Sequence, residues 1–447
     1  MSFRFNKQLT WIIALVFITF AAANAMAETR GVDVETMAKN VTDFDPNNFQ
    51  NPTGDTIKIG VMNYFSGSGA GNGELYWPII TWVVHDINKR GGIFVDGKKK
   101  KIQIIKGDHQ GKPAICKKEA EKLCLEEKVD VLWGSSGSHL AAIMSQVAGK
   151  YKVIHNNCAG TSDSLLTGKN FNIYTFRTCV TTSMFGWAMA YYYSKRPEKK
   201  FYILCQDYMY GHDIANAFKA GLKAYKPDHI IAGESYHPLF LKDFAPYITK
   251  IQGSGAEVLY TGDWIPDGEN LVKTAKDLAL NIPIANLYAD MPYMLESIGG
   301  PAGRGMVNGN EYMISVDTPE NNKFVQIWHE QWKRWDKPYN TPLYKWPMTV
   351  IGGQVNMAYW LFDVIERAGT TKAEKIIEVW EGDEYKATTG MVKMRACDHE
   401  AIKDMFVSEF IFPNKWQENG ASFGNTVTIP AKYCTHPIPQ DLDRCNK

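Results

Sequence analysis

The feature that most constrains the fold of this chain is a regular alternation of short apolar strands with amphipathic helices. Ile57-Lys58-Ile59-Gly60-Val61 alternates as a strand does and runs into the glycine-rich segment 66–73. Helices and strands then follow in turn as far as His155. Strands separated by helices predict a parallel sheet covered by helices. The further strands predicted here are 101–106, 129–133 and 153–155, and the helices are 74–89, 113–127 and 140–150.

A second series of the same kind begins after Arg177. Because 447 residues are too many for one core, the two series predict two lobes. Two long helices and a short strand region follow, which indicates that the chain crosses between the lobes more than once. We therefore predict an α/β fold of two Rossmann-like lobes with parallel sheets. The elements predicted in this part are helices 183–194, 213–224, 244–252, 321–335 and 350–368 and strands 201–205, 230–236, 257–261 and 390–394.

The first 27 residues have the pattern of an export signal. Arg4 and Lys7 precede an apolar run from Leu9 to Ala23, and Ala25-Met26-Ala27 has the small residues of a cleavage site. The apolar run has roughly 15 residues, short of the about 20 that span a bilayer. No cysteine stands at the cleavage site for lipid attachment, so we expect a freely diffusing protein of the periplasm.

The charge balance argues against a polyanionic partner. Lys and Arg number 49 and Asp and Glu 48, so no net field attracts nucleic acid or an anionic membrane. The basic run Lys98–Lys101 follows Asp96-Gly97, which is typical of an exposed hairpin. The cysteines form no C-x-x-C motif and the histidines lack ligand spacing, so we expect neither a metal nor another cofactor. A small-molecule solute is the expected partner.

Eight cysteines in an exported chain permit disulfide bonds, but the sequence alone does not fix their connectivity. Cys158 and Cys179 flank one loop, and Cys397, Cys434 and Cys445 cluster towards the C-terminus. We expect both regions to be stapled by disulfides.

The loops that follow the predicted strands carry the candidate site. In open parallel sheets, ligands bind beyond the carboxyl ends of the strands, where helix N-termini offer unpaired N–H groups. The loops hold serines, a threonine, aromatic residues and acids. They are 63–73, 134–139, 156–164, 206–212, 262–268 and 287–293.

Five short motifs occur in a characteristic order and spacing. They are Phe65-Ser66-Gly67, the D-I-N-K-R-G-G-I element 86–93, the G-S-S-G-S element 134–138, Phe176-Arg177-Thr178 and Tyr210-Gly211-His212-Asp213. Together they resemble the branched-chain amino acid binding proteins of ABC importers, over residues 56–412. The resemblance implies the type I periplasmic-binding fold, in which three crossover segments join two α/β lobes that hinge shut on a solute.

The resemblance also implies a division of the chain. The crossovers are expected near 176–179, 305–310 and 389–393. The expected parts are the signal peptide 1–27, an N-terminal extension 28–55, lobe I at 56–177 and 310–389, lobe II at 178–309 and 390–416, and a disulfide-stapled tail 417–447.

The resemblance further implies a set of ligand-binding residues. In the family, a serine at the mouth of a helix grips the solute carboxylate, and Ser138 matches it, with Ser136 as a weaker candidate. Ser138 also suits a helix cap, and the two roles are compatible. Ala159 and Thr161 match the next ligand loop, although an ST-turn would use the same residues. Tyr210 matches the tyrosine that closes over the solute, the alternative being a packing role.

The chain departs from the family at the acid that balances a bound ammonium. Tyr288 stands at that position, and Asp290, two residues later, could substitute. Asp263 and Trp264 lie near a second family aromatic, in a loop one residue longer here, so either could face the cleft. Without an acid, an α-amino acid would bury its ammonium unpaired, at a cost of several kcal/mol. We expect a hydrophobic amino acid or similar small carboxylate, with aromatic acids, amides and urea-like solutes as alternatives.

The resemblance predicts a non-enzymatic component that closes on its solute and docks on an ABC permease in the inner membrane. The rival is an enzyme, because Ser136, Ser138, His139 and His155 superficially offer a nucleophile and a base. No G-x-S-x-G elbow or metal-ligand cluster supports it. A sensor subunit that signals to a membrane receptor is a third alternative that the sequence leaves open.

Overall fold

The structure is a computed structural model that describes residues 30–291, 294, 303, 305–412, 422–435 and 442–445. The predicted signal peptide lies outside these residues. No helix in the described part of the chain is long and apolar enough to cross a membrane. The described residues build two sheets, each packed against helices.

The chain up to Arg177 builds the parallel part of the first sheet. β1 pairs in parallel with β4 and β5, and β6 pairs in parallel with β5 and β7. β2 and β3 form a separate hairpin, as predicted for the lysine run. These strands are β1 (Ile57–Asn63), β2 (Ile93–Val95), β3 (Lys98–Lys100), β4 (Ile102–Asp108), β5 (Val131–Gly134), β6 (Ile154–Asn157) and β7 (Thr175–Arg177).

The helices of this part are α1 (Val34–Asn40), α2 (Ala70–Gly73), α3 (Tyr76–Lys89), α4 (Pro113–Leu125) and α5 (Ser138–Tyr151). α3 buries Trp82 completely, and the indole packs edge-on against Phe44 with ring centroids 5.3 Å apart. Met37 and Val41 are buried in the same core. The N-terminal extension is therefore part of the packing of the first lobe.

The second lobe repeats the arrangement. β8 pairs in parallel with β9 and β10, and β11 with β10 and β12. α6 and α7 approach closely at Gly186, where a Cβ atom would lie 2.5 Å from the backbone nitrogen of Phe218. The elements are α6 (Thr182–Ser194), β8 (Lys200–Gln206), α7 (Met209–Tyr225), β9 (Ile230–His237), α8 (Ala245–Gly253), β10 (Val258–Tyr260), α9 (Asp267–Asp277), β11 (Ile284–Asn286) and β12 (Val307–Asn310).

The last third of the chain completes both sheets. Its elements are α10 (Pro319–Trp332), α11 (Val350–Ala368), α12 (Ala373–Trp380), β13 (Glu384–Ala387), β14 (Gly390–Arg395), β15 (Glu400–Lys403), β16 (Met405–Ile411), β17 (Ser422–Ile429) and α13 (Ala431–Cys434). The strand order is β13-β14-β15-β7-β6-β5-β1-β4 in the first sheet and β17-β16-β12-β11-β10-β8-β9 in the second. The α/β fold of two lobes with largely parallel sheets is confirmed, with antiparallel strands at one side of each sheet.

Three segments connect the sheets. They are 178–181 after β7, 311–318 after β12, and Asp404 between β15 and β16. The second crossover thus begins just after the predicted 305–310, because β12 continues to Asn310.

The prediction of a third crossover at 389–393, with residues 390–416 in lobe II, is wrong for residues 390–403. β14 is antiparallel to both β13 and β15, so the chain reverses within the first sheet. β15 then lies beside β7, with Glu400 aligned to Arg177. A hairpin turn and a crossover look alike in sequence when both are flanked by short strands.

In the C-terminal region, predicted as a disulfide-stapled tail over 417–447, β17 pairs with β16 at the edge of the second sheet. Cys397 and Cys445 form a disulfide bond, which confirms a staple in this region. Cys158 and Cys179 are thiols, so the staple expected there is wrong. Hydrogen bonds of the Asn157 side chain to both backbone groups of Gly160 fix that loop instead.

A buried ion pair joins β7 to β15. Arg177 donates one guanidinium hydrogen bond to the Glu400 carboxylate and another to the carbonyl oxygen of Ser162. The exposed fractions of the Arg177 and Glu400 side chains are 0% and 2%. The pair holds the first crossover against the strand that leads into the third.

We expect Glu400→Gln to lower the free energy of unfolding by about 3 kcal/mol, because the Arg177 charge would stay buried without its carboxylate. Replacing both partners by methionine should recover part of that loss, since Arg177 is then no longer a buried charge without its carboxylate and Arg395 keeps its pair with Asp398. Urea unfolding followed by tryptophan fluorescence measures both values. A loss below about 1 kcal/mol for Glu400→Gln, typical of an exposed pair, would contradict this role.

Candidate functional site

A cleft lies between the lobes, at the carboxyl ends of the parallel strands. All six loops predicted to carry the site contribute to its wall. The lining residues are Asn72, Tyr76, Ser136, Gly137, Ser138, Ala159, Thr161, Tyr208, Tyr210, Trp264, Ile265, Tyr288, Met291 and Val350.

Seven of the nine predicted ligand residues lie in this wall, namely Ser136, Ser138, Ala159, Thr161, Tyr210, Trp264 and Tyr288. Asp263 and Asp290 do not. Sequence reasoning missed Tyr208, which lines the cleft. It is an aromatic residue two positions before Tyr210 in a predicted ligand loop, and it could have been predicted as a site residue on that ground. Val350 comes from the start of α11, far along the chain, and no local pattern connects it to the cleft.

The N-terminus of α5 opens into the cleft. Gly137 precedes it with φ +81°, and a Cβ atom there would lie 2.7 Å from the Tyr64 hydroxyl, so glycine is required. No described side chain caps this helix. Ser138 is its first residue, and its Oγ accepts from the Ser162 N–H at 3.1 Å, so the capping alternative for Ser138 is wrong. The helix therefore presents its partial positive charge to the cleft.

Three hydroxyl groups gather at this helix end. Ser136 is buried, and its Oγ has no hydrogen-bond partner among the described residues. The Ser138 oxygen accepts from Ser162, so its own O–H is left to donate. Thr161 is buried in the facing loop, with its carbonyl oxygen held by the Thr182 N–H at 2.8 Å. A solute with oxygen acceptors would satisfy these donors.

Lobe II supplies aromatic walls with fixed orientations. The Tyr210 hydroxyl donates to the Gly262 carbonyl oxygen at 2.7 Å, so Tyr210 offers mainly its ring. The Tyr208 oxygen accepts from the Trp264 indole N–H at 3.0 Å. Burial raises the pKa of Tyr208, Tyr210 and Tyr288, so these phenols stay neutral.

Asp263 does not face the cleft. It is fully buried, and its Oδ2 pairs with His237 Nε2 at 2.7 Å. Burial opposes protonation of His237, but the hydrogen bond and charge of Asp263 outweigh it and raise the pKa of the imidazole. The carboxylate therefore fixes the base of the Trp264 loop.

Asp290 is also engaged away from the cleft. Its side chain is buried and accepts a hydrogen bond from the hydroxyl of Thr349, which precedes α11 in lobe I. Burial raises the pKa of this carboxyl to about 7. The proposed substitution of Asp290 for the family acid is therefore not seen, and no residue in the described wall of the cleft is charged.

Hydrogen bonds across the cleft hold the lobes together. Asp213, in the first turns of α7, accepts hydrogen bonds from the Ser162 hydroxyl and the Ser164 hydroxyl. It also accepts one from the Ser164 N–H at 3.1 Å. Asp163 of the same lobe I loop accepts from the Ser183 hydroxyl at 2.6 Å. These contacts describe a closed conformation in which the loop of Thr161 lies between both lobes.

Two histidines of lobe I make buried hydrogen bonds within that lobe. His155 Nε2 lies 2.8 Å from the Gly134 carbonyl oxygen, within the sheet. His109 pairs with Ser135 at 2.8 Å, but both side chains are fully buried. In the described part of the chain, no cluster of His, Cys, Asp and Glu could hold a metal ion.

Comparison with known proteins agrees with this geometry. The Leu/Ile/Val-binding protein homolog 4 of Brucella melitensis is 25% identical over 379 residues, which cover 82% of this chain and 87% of that protein. The closed leucine-, isoleucine-, valine-, threonine- and alanine-binding protein of Brucella ovis superposes with a TM-score of 0.74 at 22% identity, covering 87% and 98%. A solute-binding protein of an ABC transporter from R. palustris, in complex with 4-hydroxybenzoate, gives 0.71 at 23%, covering 84% and 97%.

A family described as "Periplasmic binding protein" matches residues 56–414, which is most of the chain. The two lobes, the three crossovers and the cleft at the strand ends agree with this match. This chain therefore belongs to the periplasmic binding protein family, whose members are substrate-binding components of transporters, and has the type I fold.

Proposed function

We propose that this protein is the periplasmic solute-binding component of an ABC importer and that its solute is a small carboxylate with an aromatic or apolar body and no ammonium group. One observation carries the proposal: unpaired hydroxyl donors meet an uncapped helix N-terminus inside an aromatic cleft that has no charged side chain in its described wall. The export pattern at residues 1–27 supports delivery to the periplasm.

The carboxylate is placed at the start of α5. An anion there meets the helix dipole and backbone N–H groups, which needs no basic side chain. The hydroxyls of Ser136, Ser138 and Thr161 supply further donors to its oxygens, and charge-assisted hydrogen bonds of this kind are stronger than neutral ones. Ala159 completes the same wall with its backbone.

The body of the solute is placed against the rings of Tyr76, Tyr208, Tyr210, Trp264 and Tyr288. These residues offer apolar faces and neutral phenols, which suit a planar or branched apolar group. An ammonium group would find no carboxylate in the described wall, because Asp263 and Asp290 are bonded to His237 and Thr349. Burying that charge unpaired costs several kcal/mol.

Three relatives represent the two solute classes. The Brucella melitensis protein is named for leucine, isoleucine and valine, the Brucella ovis protein for these with threonine and alanine, and the R. palustris protein holds 4-hydroxybenzoate. The aromatic carboxylate agrees better with the uncharged cleft. A hydrophobic α-amino acid is the second candidate, favoured by the relatives' names alone.

Closure brings the two halves of the site together. Tyr210 covers the solute and Asp213 bonds to Ser162 and Ser164, and both come from the first turns of α7. One movement of this helix therefore covers the solute and locks the loop of Thr161. The closed form is then the one that docks on the permease, and the protein performs no chemistry on its solute.

Matched solutes test the proposed class. We expect 3-phenylpropanoate to bind at least about 100-fold more tightly than phenylalanine, and 4-methylpentanoate more tightly than leucine, because each pair differs only by the ammonium group. Benzoate and 4-hydroxybenzoate belong in the same panel. Isothermal titration calorimetry on protein stripped by unfolding and refolding measures the affinities. Equal or tighter binding of the amino acids would contradict the proposal that the solute has no ammonium group. If no carboxylate in the panel binds, the proposed carboxylate site at the start of α5 is wrong.

The role of Asp213 in closure gives a second prediction. We expect Asp213→Asn to weaken binding of the tightest carboxylate in that panel by about 10-fold, mainly through faster dissociation, because charge-assisted bonds across the cleft are lost. Asp207→Asn is the matched control. It removes the same charge near α7, but the Asp207 side chain pairs with His212 of its own lobe, at 2.8 Å, and not across the cleft. Stopped-flow dissociation rates compare the two. Identical rates in both variants would contradict the role of Asp213.

A further inference from the structure

One buried lysine lies where the three crossovers begin. Lys403 is the last residue of β15 and directly precedes Asp404, the third crossover. Its ammonium group donates to the carbonyl oxygen of Thr178, the first residue of the first crossover, at 2.6 Å. The same group pairs with the carboxylate of Glu311, the first residue of the second crossover. One side chain therefore contacts the starts of two crossovers and stands at the start of the third.

The Glu311 carboxylate is also bonded to lobe I. Its Oε1 accepts a hydrogen bond from the side-chain amide of Gln354, in α11, at 2.8 Å. Gly353 permits this approach, because a Cβ atom there would lie 2.9 Å from the same oxygen. Val350, about one helical turn before Gln354, lines the cleft. The same helix therefore contacts both the ion pair and the solute site.

Rotation of the lobes that keeps this ion pair costs less free energy than rotation that breaks it. The side chains of Glu311 and Lys403 are 4% and 6% exposed, so water is not an alternative partner for either charge. Breaking a buried pair leaves two uncompensated charges in the core, which is strongly unfavourable. Open and closed forms that interconvert differ only modestly in free energy. The starts of the three crossovers therefore stay together while the lobes move.

We propose that the ammonium group of Lys403 ties the three crossovers at one point, so that they rotate together as a single hinge whose axis passes close to this group. Three separate segments could each bend at a different residue, and the lobes could then also slide past each other. A shared contact at the starts of the segments removes that freedom. The tie concerns the motion itself and does not depend on the solute proposed above.

Hydrogen exchange of the solute-free protein, measured by mass spectrometry after unfolding and refolding, tests the tie. One backbone N–H group in each of the first two crossovers can report it, because each has a hydrogen-bond partner. Thr178 donates to the carbonyl oxygen of Asn157 at 3.0 Å, and Val316 to that of Met313 at 3.2 Å. We expect Lys403→Met to speed exchange at both reporters by about 10-fold or more, because each crossover can then open on its own.

Lys226→Met is the matched control. Lys226 is 6% exposed, as Lys403 is, and donates to a backbone carbonyl oxygen, that of Arg196, at 2.8 Å, within lobe II. The control thus removes an equally buried ammonium group without removing a contact to a crossover. Exchange at Thr178 and Val316 should stay at the wild-type rate.

Lys403→Met combined with Glu311→Gln separates the tie from the burial of charge, and it can be used if Lys403→Met alone does not fold. This double variant leaves neither partner as an unpaired charge, so it should be more stable than Lys403→Met. Exchange at Thr178 and Val316 should nevertheless remain fast, because the group that bonds to both crossovers is gone. Wild-type exchange at either reporter in the double variant would overturn the proposal, since the pair would then only balance charge. Faster exchange in Lys403→Met that is confined to the peptide containing residue 404 would overturn it as well.

Discussion

The parallel strands of both sheets have their carboxyl ends at one boundary between the lobes, called the seam below. The rest of the structure depends on this shared direction of the strands. Each strand must turn into a helix at that edge, so each loop brings backbone donors and one or two side chains to the seam. Two sheets that face each other in this way create a cleft without any single element being shaped for it. The residues of the wall come from seven separate segments, and only the two-lobed fold brings them together.

The strand positions, and hence the loops of the site, could be predicted from the sequence because period and turn residues are local properties. Within these loops, the resemblance to the branched-chain amino acid binding proteins singles out Ser138 and Thr161, and both lie in the cleft. The direction of a side chain within a loop is not local. Asp263 and Trp264 are neighbours, yet one pairs with His237 behind the wall and the other lines the cleft. The prediction of a crossover at 389–393 failed for a related reason. Only the pairing of β14 with β15, and of β15 with β7, shows that these strands belong to the first sheet.

The acids near the cleft stabilise protein structure, and this decides which solutes are compatible with it. Asp213 and Asp290 both accept hydrogen bonds from lobe I, and Asp263 is held by a histidine of its own lobe. Neither Asp263 nor Asp290 belongs to the described wall of the cleft, so a solute ammonium there would lie without a carboxylate beside it. Asp213 and Asp290 therefore join the two lobes, while neutral hydroxyls and aromatic rings line the described wall of the cleft.

Buried contacts beside the crossovers also indicate where the chain bends when the lobes rotate relative to each other. On the side of lobe I, the Arg177–Glu400 pair and the stacking of His399 on Phe176 join β7 and β15 into one rigid unit. Buried pairs of this kind resist separation, because Arg177 would lose the carboxylate that balances its charge in the core. Rotation between the lobes must then be taken up by 178–181, 311–318 and Asp404, which lie just outside that unit. The Cys397–Cys445 bond lies in the turn that leads into β15, so the only disulfide bond among the described residues is attached to the same unit.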